Sequence, residues 1–93
     1  MDKSYYAQLT FHVEQNRLVV VGQLTRETLM SLYTEKKSFS GVNLIDVTSV
    51  THVDSSGLAL LTQLCLMNKT DKKKLIGINE KLQSLIQAYR LPL

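Results

Sequence analysis

The sequence predicts an α/β fold: a four-stranded mixed sheet with three or so helices, in the order β-β-α-β-α-β-α. Three observations predict it. Continuous apolar runs of strand length recur along the chain: Arg17 to Val21 (RLVVV), Val42 to Val47 (VNLIDV) and Leu75 to Ile78 (LIGI). Longer segments with helical spacing lie between them, opened by capping residues. The first two strand segments are separated only by Glu14-Gln15-Asn16, so they form an antiparallel hairpin and make the sheet mixed. Elsewhere, alternation of strand and helix gives parallel neighbours joined by right-handed crossovers. The order of strands across the sheet is open at this level.

Each element has a local cause. Tyr5 to Val13 alternates weakly and is rich in strand formers. The RLVVV run ends at Gly22. Thr25 is placed to cap a first helix whose opening turn carries Glu27. Leu29, Met30, Leu32 and Tyr33 form its apolar side, and Lys36-Lys37 suits its C-terminus. Ser38 to Gly41 reads as a loop before the third strand. Thr48 to Val53 then leads to Asp54-Ser55-Ser56-Gly57 and the apolar stretch Leu58 to Met67, too long for most strands and read as the second helix. LIGI is the fourth strand. Asn79 caps the last helix, with Leu82, Leu85, Ile86 and Tyr89 three or four apart, and Pro92 stops it.

With 93 residues, 44 % hydrophobic and 20 % charged, the chain has ordinary globular composition. One Cys excludes a disulfide framework and a multi-Cys metal site. No apolar run reaches the roughly 18–20 residues of a membrane span. The opening MDKSYYAQLTFH lacks the apolar core of a signal peptide, so a cytoplasmic location is expected. The net charge of +3 is concentrated in Lys69 to Lys74 (KTDKKK). That run reads as a solvated loop or as a patch for an anionic surface; with no interleaved aromatic residue it is a poor single-strand nucleic-acid site.

Most catalytic chemistry finds no support. There is no phosphate-cradling GxxxxGK[ST] and no GxGxxG. His12 and His52 are far apart in sequence and lack companion ligands, so no metal is expected. Cys65 lies inside the most apolar segment and reads as a structural thiol. His52, Asp54 and Ser55 contain the residue types of a hydrolase triad, but no G-x-S-x-G elbow accompanies them. A non-enzymatic protein is expected.

The informative feature is the start of the second helix. One capping residue satisfies a helix start, worth about 1 kcal/mol; Asp54, Ser55 and Ser56 supply three. Gly57 follows where Ala would be the better helix former by about 1 kcal/mol, so close approach of another backbone or of a phosphate is the use of Gly there. From Leu58 to Met67 only Thr62 and Gln63 are polar, so apolar residues nearly encircle the helix. Either neighbouring elements or a partner must cover them.

The stretch Val42-Asn43-Leu44-Ile45-Asp46-Val47, followed by Val53-Asp54-Ser55-Ser56-Gly57-Leu58-Ala59-Leu60-Leu61, resembles the signature of STAS domains, the fold of sulfate-transporter tails and anti-sigma factor antagonists. The resemblance implies one STAS domain over residues 1–93. Gly77-Ile78-Asn79-Glu80-Lys81-Leu82, Tyr89-Arg90-Leu91-Pro92 and the front Arg17 to Leu24 are more closely similar to the stand-alone STAS subunits of bacterial Mla phospholipid-transport ABC systems. This implies a cytoplasmic accessory subunit, peripheral to the inner membrane, without cofactor. It would bind the MlaF-like ATPase subunit and, through it, the permease. The resemblance implies a functional hydroxyl at Ser55; around it the loop and helix start, Thr51, His52, Asp54, Ser55, Ser56, Gly57 and Leu58, are expected to bind the partner, with Asp54 orienting or capping, Ser56 a second contact and Gly57 permitting close approach. The spelling Asp54-Ser55-Ser56-Gly57 is nearer to the antagonist branch than to the Thr-Gly-Gly form of Mla subunits. The alternative it implies is an anti-sigma factor antagonist, phosphorylated on Ser55 by a partner kinase.

Overall fold

The computed structural model describes residues 9–66, 73–91 and 93 and has the expected α/β, STAS-like architecture. Strands β1 (Leu9–Glu14), β2 (Arg17–Leu24), β3 (Leu44–Val53) and β4 (Lys74–Ile76) lie in the order β1-β2-β3-β4. The β1–β2 pair is antiparallel; β2–β3 and β3–β4 are parallel. Helices α1 (Met30–Thr34), α2 (Ser55–Cys65) and α3 (Glu80–Ala88) follow β2, β3 and β4.

The hairpin turn is Gln15-Asn16, with Gln15 at φ 57, a conformation that two-residue hairpin turns require. Residues 1–8 lie outside the described region, so the start expected at Tyr5 does too.

Strands β2 and β3 both run further than the sequence reading placed them. β2 passes through Gly22 at φ 105 and ends at Leu24. β3 begins at Leu44, leaving buried Val42 outside it, and continues through Thr48 to Val53. Its ten residues face the eight of β2 because the register slips twice, between Val19 and Val21 and between Gly22 and Gln23. The first bulge leaves Thr48 and Ser49 both exposed and shifts the buried set from Ile45 and Val47 to Val50. The broken alternation reads as a strand end in sequence, yet the ladder continues past it.

The first helix is much shorter than expected. Thr25 to Leu29 form turns, α1 has five residues, and a 3-10 turn, Lys36–Phe39, replaces its expected end and part of the Ser38 to Gly41 loop. The Thr28 hydroxyl donates to Gln23 O at 2.7 Å and accepts the Thr25 N–H at 3.0 Å, so local side-chain bonds compete with a helical start. Thr25 does not cap α1 with its side chain. Leu32 is buried, but Met30 (61 % exposed) and Tyr33 face outward, against the expected apolar side. Phe39 of the 3-10 turn is buried edge-on to Phe11, ring centroids 5.9 Å apart.

Helix α2 begins where its capping residues place it. Leu58, Leu60, Leu61, Leu64 and Cys65 are buried in one cluster with Leu18, Val20 and Leu24 of β2, Ile45 and Val47 of β3, Leu32, Leu82 and Ile86. Neighbouring elements therefore cover most of its apolar circumference; Ala59 and Leu66 stay exposed, and Met67 is outside the described residues. Burial pushes the Cys65 thiol up to about 11, with the charge of Lys73 opposing.

Strand β4 stops at Ile76, two residues early, because Gly77 turns the chain at φ 77 against Thr48. Of the expected basic run, Lys73 is buried and Lys74 belongs to β4, while residues 69–72 lie outside the described region. Asn79 caps α3 as expected, its Oδ1 accepting the Leu82 N–H at 2.8 Å. The helix ends at Ala88 through Arg90 at φ 55: Arg90 N–H donates to Gln87 O and Leu91 N–H to Ile86 O. Tyr89 therefore leaves the buried stripe and is 54 % exposed. The expected stop, Pro92, is outside the described residues.

Leu61 is fully buried at the centre of α2. Leu61→Ala is expected to lower unfolding free energy by about 2–5 kcal/mol, measured by urea denaturation.

Candidate functional site

The C-terminal ends of β2 and β3 meet at the start of α2. Asp54 N–H donates to Leu24 O at 3.3 Å, which ties the strand ends together. Asp54 is extended (φ −103, ψ −176), the conformation of a helix N-cap. Its Oδ1 accepts the Gly57 N–H at 2.9 Å, and its Oδ2 accepts the Arg26 N–H at 2.9 Å. The carboxylate is thus shared between its own helix and the β2–α1 turn. The Arg26 N–H holds its pKa below the ordinary value; burial opposes, and the N–H groups of Gly57, Ser56 and Asp54 add to the lowering.

Gly57 is buried at this junction. A Cβ there would overlap the Leu24 carbonyl oxygen and lie 2.8 Å from its carbon. The close approach that the glycine permits is made by β2 of the same chain. Leu58, 1 % exposed, points into the core. Gly57 is buried and Leu58 almost wholly so.

Ser55 is exposed and Ser56 half-buried. Among the described residues, neither hydroxyl has a hydrogen-bond partner, so the capping role falls to Asp54 and leaves Ser55 free. Thr51 and His52 are exposed near the end of β3. The Thr51 hydroxyl donates to Gly22 O at 3.2 Å, and His52 Nδ1 lies 3.1 Å from that hydroxyl. These two residues brace the β2–β3 seam; neither is hydrogen-bonded to Ser55.

An open groove of about 260 Å³ lies beside Ser55, lined by Ser55, Leu58, Ala59, Tyr89 and Leu91. Its lining is mostly apolar; Ser55 and Tyr89 are the lining residues that carry a hydroxyl. Helix α2 supplies one wall; the end of α3 supplies the other. Tyr89, Leu91 and Arg26 had no place in the site read from sequence. The available signal for Tyr89 was its position just before Arg90-Leu91-Pro92, where a helix end frees an aromatic residue from the core. Arg26 carried none, because only the Asp54 bridge brings it here.

The arrangement can bind an apolar group and exchange a hydrogen bond beside it. Among the described residues, no three His, Cys, Asp or Glu side chains gather as a metal site, and no helix is long and apolar enough to cross a membrane.

No protein-family model matches the chain. It is similar to the intermembrane phospholipid transport system binding protein MlaB of Escherichia coli strain K12, with 33 % identity over 78 residues. That alignment covers 81 % of this chain and 80 % of the relative. The protein of the same name from Shigella flexneri is similar to the same extent.

Gly57→Ala is expected to lose about 1–3 kcal/mol of stability, because the helix must move from β2 to admit the methyl group. Ser56→Ala should stay within about 0.5 kcal/mol of wild type in the same thermal-denaturation series. Asp54 ionises more readily folded than unfolded, so its contribution is complete above the ordinary carboxylate value near 3.8 and is lost as pH falls below it. Asp46, lowered by the Thr48 hydroxyl and N–H, titrates in the same direction and remains in the variant. Urea midpoints of Asp54→Asn should therefore fall less steeply than those of wild type from about pH 4 to pH 2.

Proposed function

The chain belongs to the MlaB family, and we propose that it is a non-catalytic, cytoplasmic subunit of an intermembrane phospholipid transporter that docks on the transporter's ATPase. Docking uses the exposed Ser55 hydroxyl and the adjoining groove. Through the ATPase the subunit is held at the inner membrane beside the permease. Binding favours the ATPase conformation that it fits and stabilises that state by an amount that grows with the logarithm of subunit concentration over Kd.

The observation that carries this reading is the Ser55 hydroxyl, without a partner among the described residues, on a residue that lines a mostly apolar groove, in a chain of this family. Ser55 has no task in capping α2, since Asp54 performs it. Tyr89 is a large aromatic side chain at the groove wall, of the type that anchors protein interfaces. An apolar side chain of the ATPase fills the groove, while the Ser55 hydroxyl gives direction through one hydrogen bond.

Affinity purification of tagged protein from its own cells in mild detergent tests the proposal. Wild type is expected to retrieve an ABC ATPase with its permease. Ser55→Asp should lose both, because it places a second carboxylate beside Asp54 in an interface that excludes water. Retrieval of a small soluble kinase without the ATPase would overturn the proposal in favour of an anti-sigma antagonist.

A further inference from the structure

We infer that a second groove, at the far end of α2 from Ser55, is a binding site for a single-chain fatty carboxylate, with Lys73 and Lys74 pairing its carboxylate and Leu66, Leu75, Ile78 and Leu93 covering its alkyl tail. The inference does not depend on the docking function proposed for Ser55. Ser55 opens α2 and Cys65 closes it, about 15 Å away at a rise of about 1.5 Å per residue.

The groove has a volume of about 260 Å³ and is lined by Cys65 and Leu66 at the end of α2, by Lys73, Lys74 and Leu75 at the entry to β4, and by Ile78 and Leu93. At about 30 Å³ per water molecule, that is more room than a small inorganic anion fills. Backbone bonds hold the lining in place. Lys73 N–H donates to Cys65 O at 3.0 Å, and Lys74 N–H donates to Asn43 O at 2.9 Å. A lining fixed in advance lowers the entropy cost of binding.

Charge supplies the second argument. Lys73 is only 6 % exposed, and lysine is almost never fully buried. Its positive charge reaches the Cys65 thiol, where it opposes the effect of burial. An ammonium has three donors, so the interaction Lys73 already makes within the chain does not exhaust it. Lys74 beside it is exposed, and no Asp or Glu is among the lining residues. The other lining side chains are four large aliphatic groups and a thiol. An inorganic anion would leave the aliphatic groups unused, and an uncharged chain would leave the lysines unused. A fatty carboxylate uses both. A membrane surface is met by exposed lysines, and Lys73 is not one.

Methyl-resolved NMR of the full chain, titrated with monomeric decanoate, tests this. Saturable shifts are expected at Leu66, Leu75, Ile78 and Leu93, while Ala59 and Leu91 of the Ser55 groove stay unmoved. Decyltrimethylammonium, the same alkyl chain on a cation, should leave all of them unmoved. Lys73→Met keeps an apolar stem and should weaken decanoate binding about tenfold. Lys74→Glu, at an exposed position, should weaken it about fivefold and decides the matter if circular dichroism finds Lys73→Met unfolded. Absent shifts, equal shifts with the cationic chain, shifts centred on Ala59 and Leu91, or unchanged affinity in the folded variants would each overturn the site. Binding to phosphatidylglycerol vesicles without binding of decanoate would overturn it too, and would assign the lysines to a membrane surface.

Discussion

At the C-terminal ends of β2 and β3, one carboxylate accepts backbone N–H groups from two different elements. Asp54 caps α2 through Gly57 and holds the β2–α1 turn through Arg26. Its own N–H meets the carbonyl of Leu24. A helix start leaves orphan N–H groups, and a strand end leaves an unpaired carbonyl; here each answers a neighbour's need. The contact requires α2 to lie close on β2. Gly57 allows this, because any Cβ would collide with Leu24.

That division of labour creates the free surface. In a run of three capping residues, the first does the capping. The second is then an exposed hydroxyl on a rigid helix start. The exit of α3 places Tyr89 and Leu91 across from it, because the left-handed Arg90 turns the chain back and lets Leu91 pack on the core. The groove between the two helix ends is therefore a product of two chain terminations, one capped by Asp54 and one closed by backbone bonds to Ile86 and Gln87.

The long β3 matters to the same end. Its two extra residues relative to β2 are absorbed by bulges, and the strands still finish together at Leu24 and Val53. Without that absorption Asp54 would miss Leu24, and the turn carrying Arg26 would have no anchor. Thr51, at the second bulge, bonds the β2 carbonyl of Gly22 and braces the seam.

The sequence by itself determined the element order, the hairpin, the start of α2 at Asp54 and the cap of α3 at Asn79. These depend on neighbouring residues: apolar runs, turn residues and side chains that reach their own backbone. It also marked the run Asp54-Ser55-Ser56 as a site candidate by an excess of capping residues. Tertiary structure alone decided the strand order and the bulges that carry β3 past Thr48-Ser49. It also decided that Gly57 and Leu58 serve the core, while Tyr89 lines the groove and the Arg26 N–H shares Asp54. Each of those outcomes is set by atoms far apart in sequence, through steric fit or a shared hydrogen-bond acceptor, and local spacing carries no record of either.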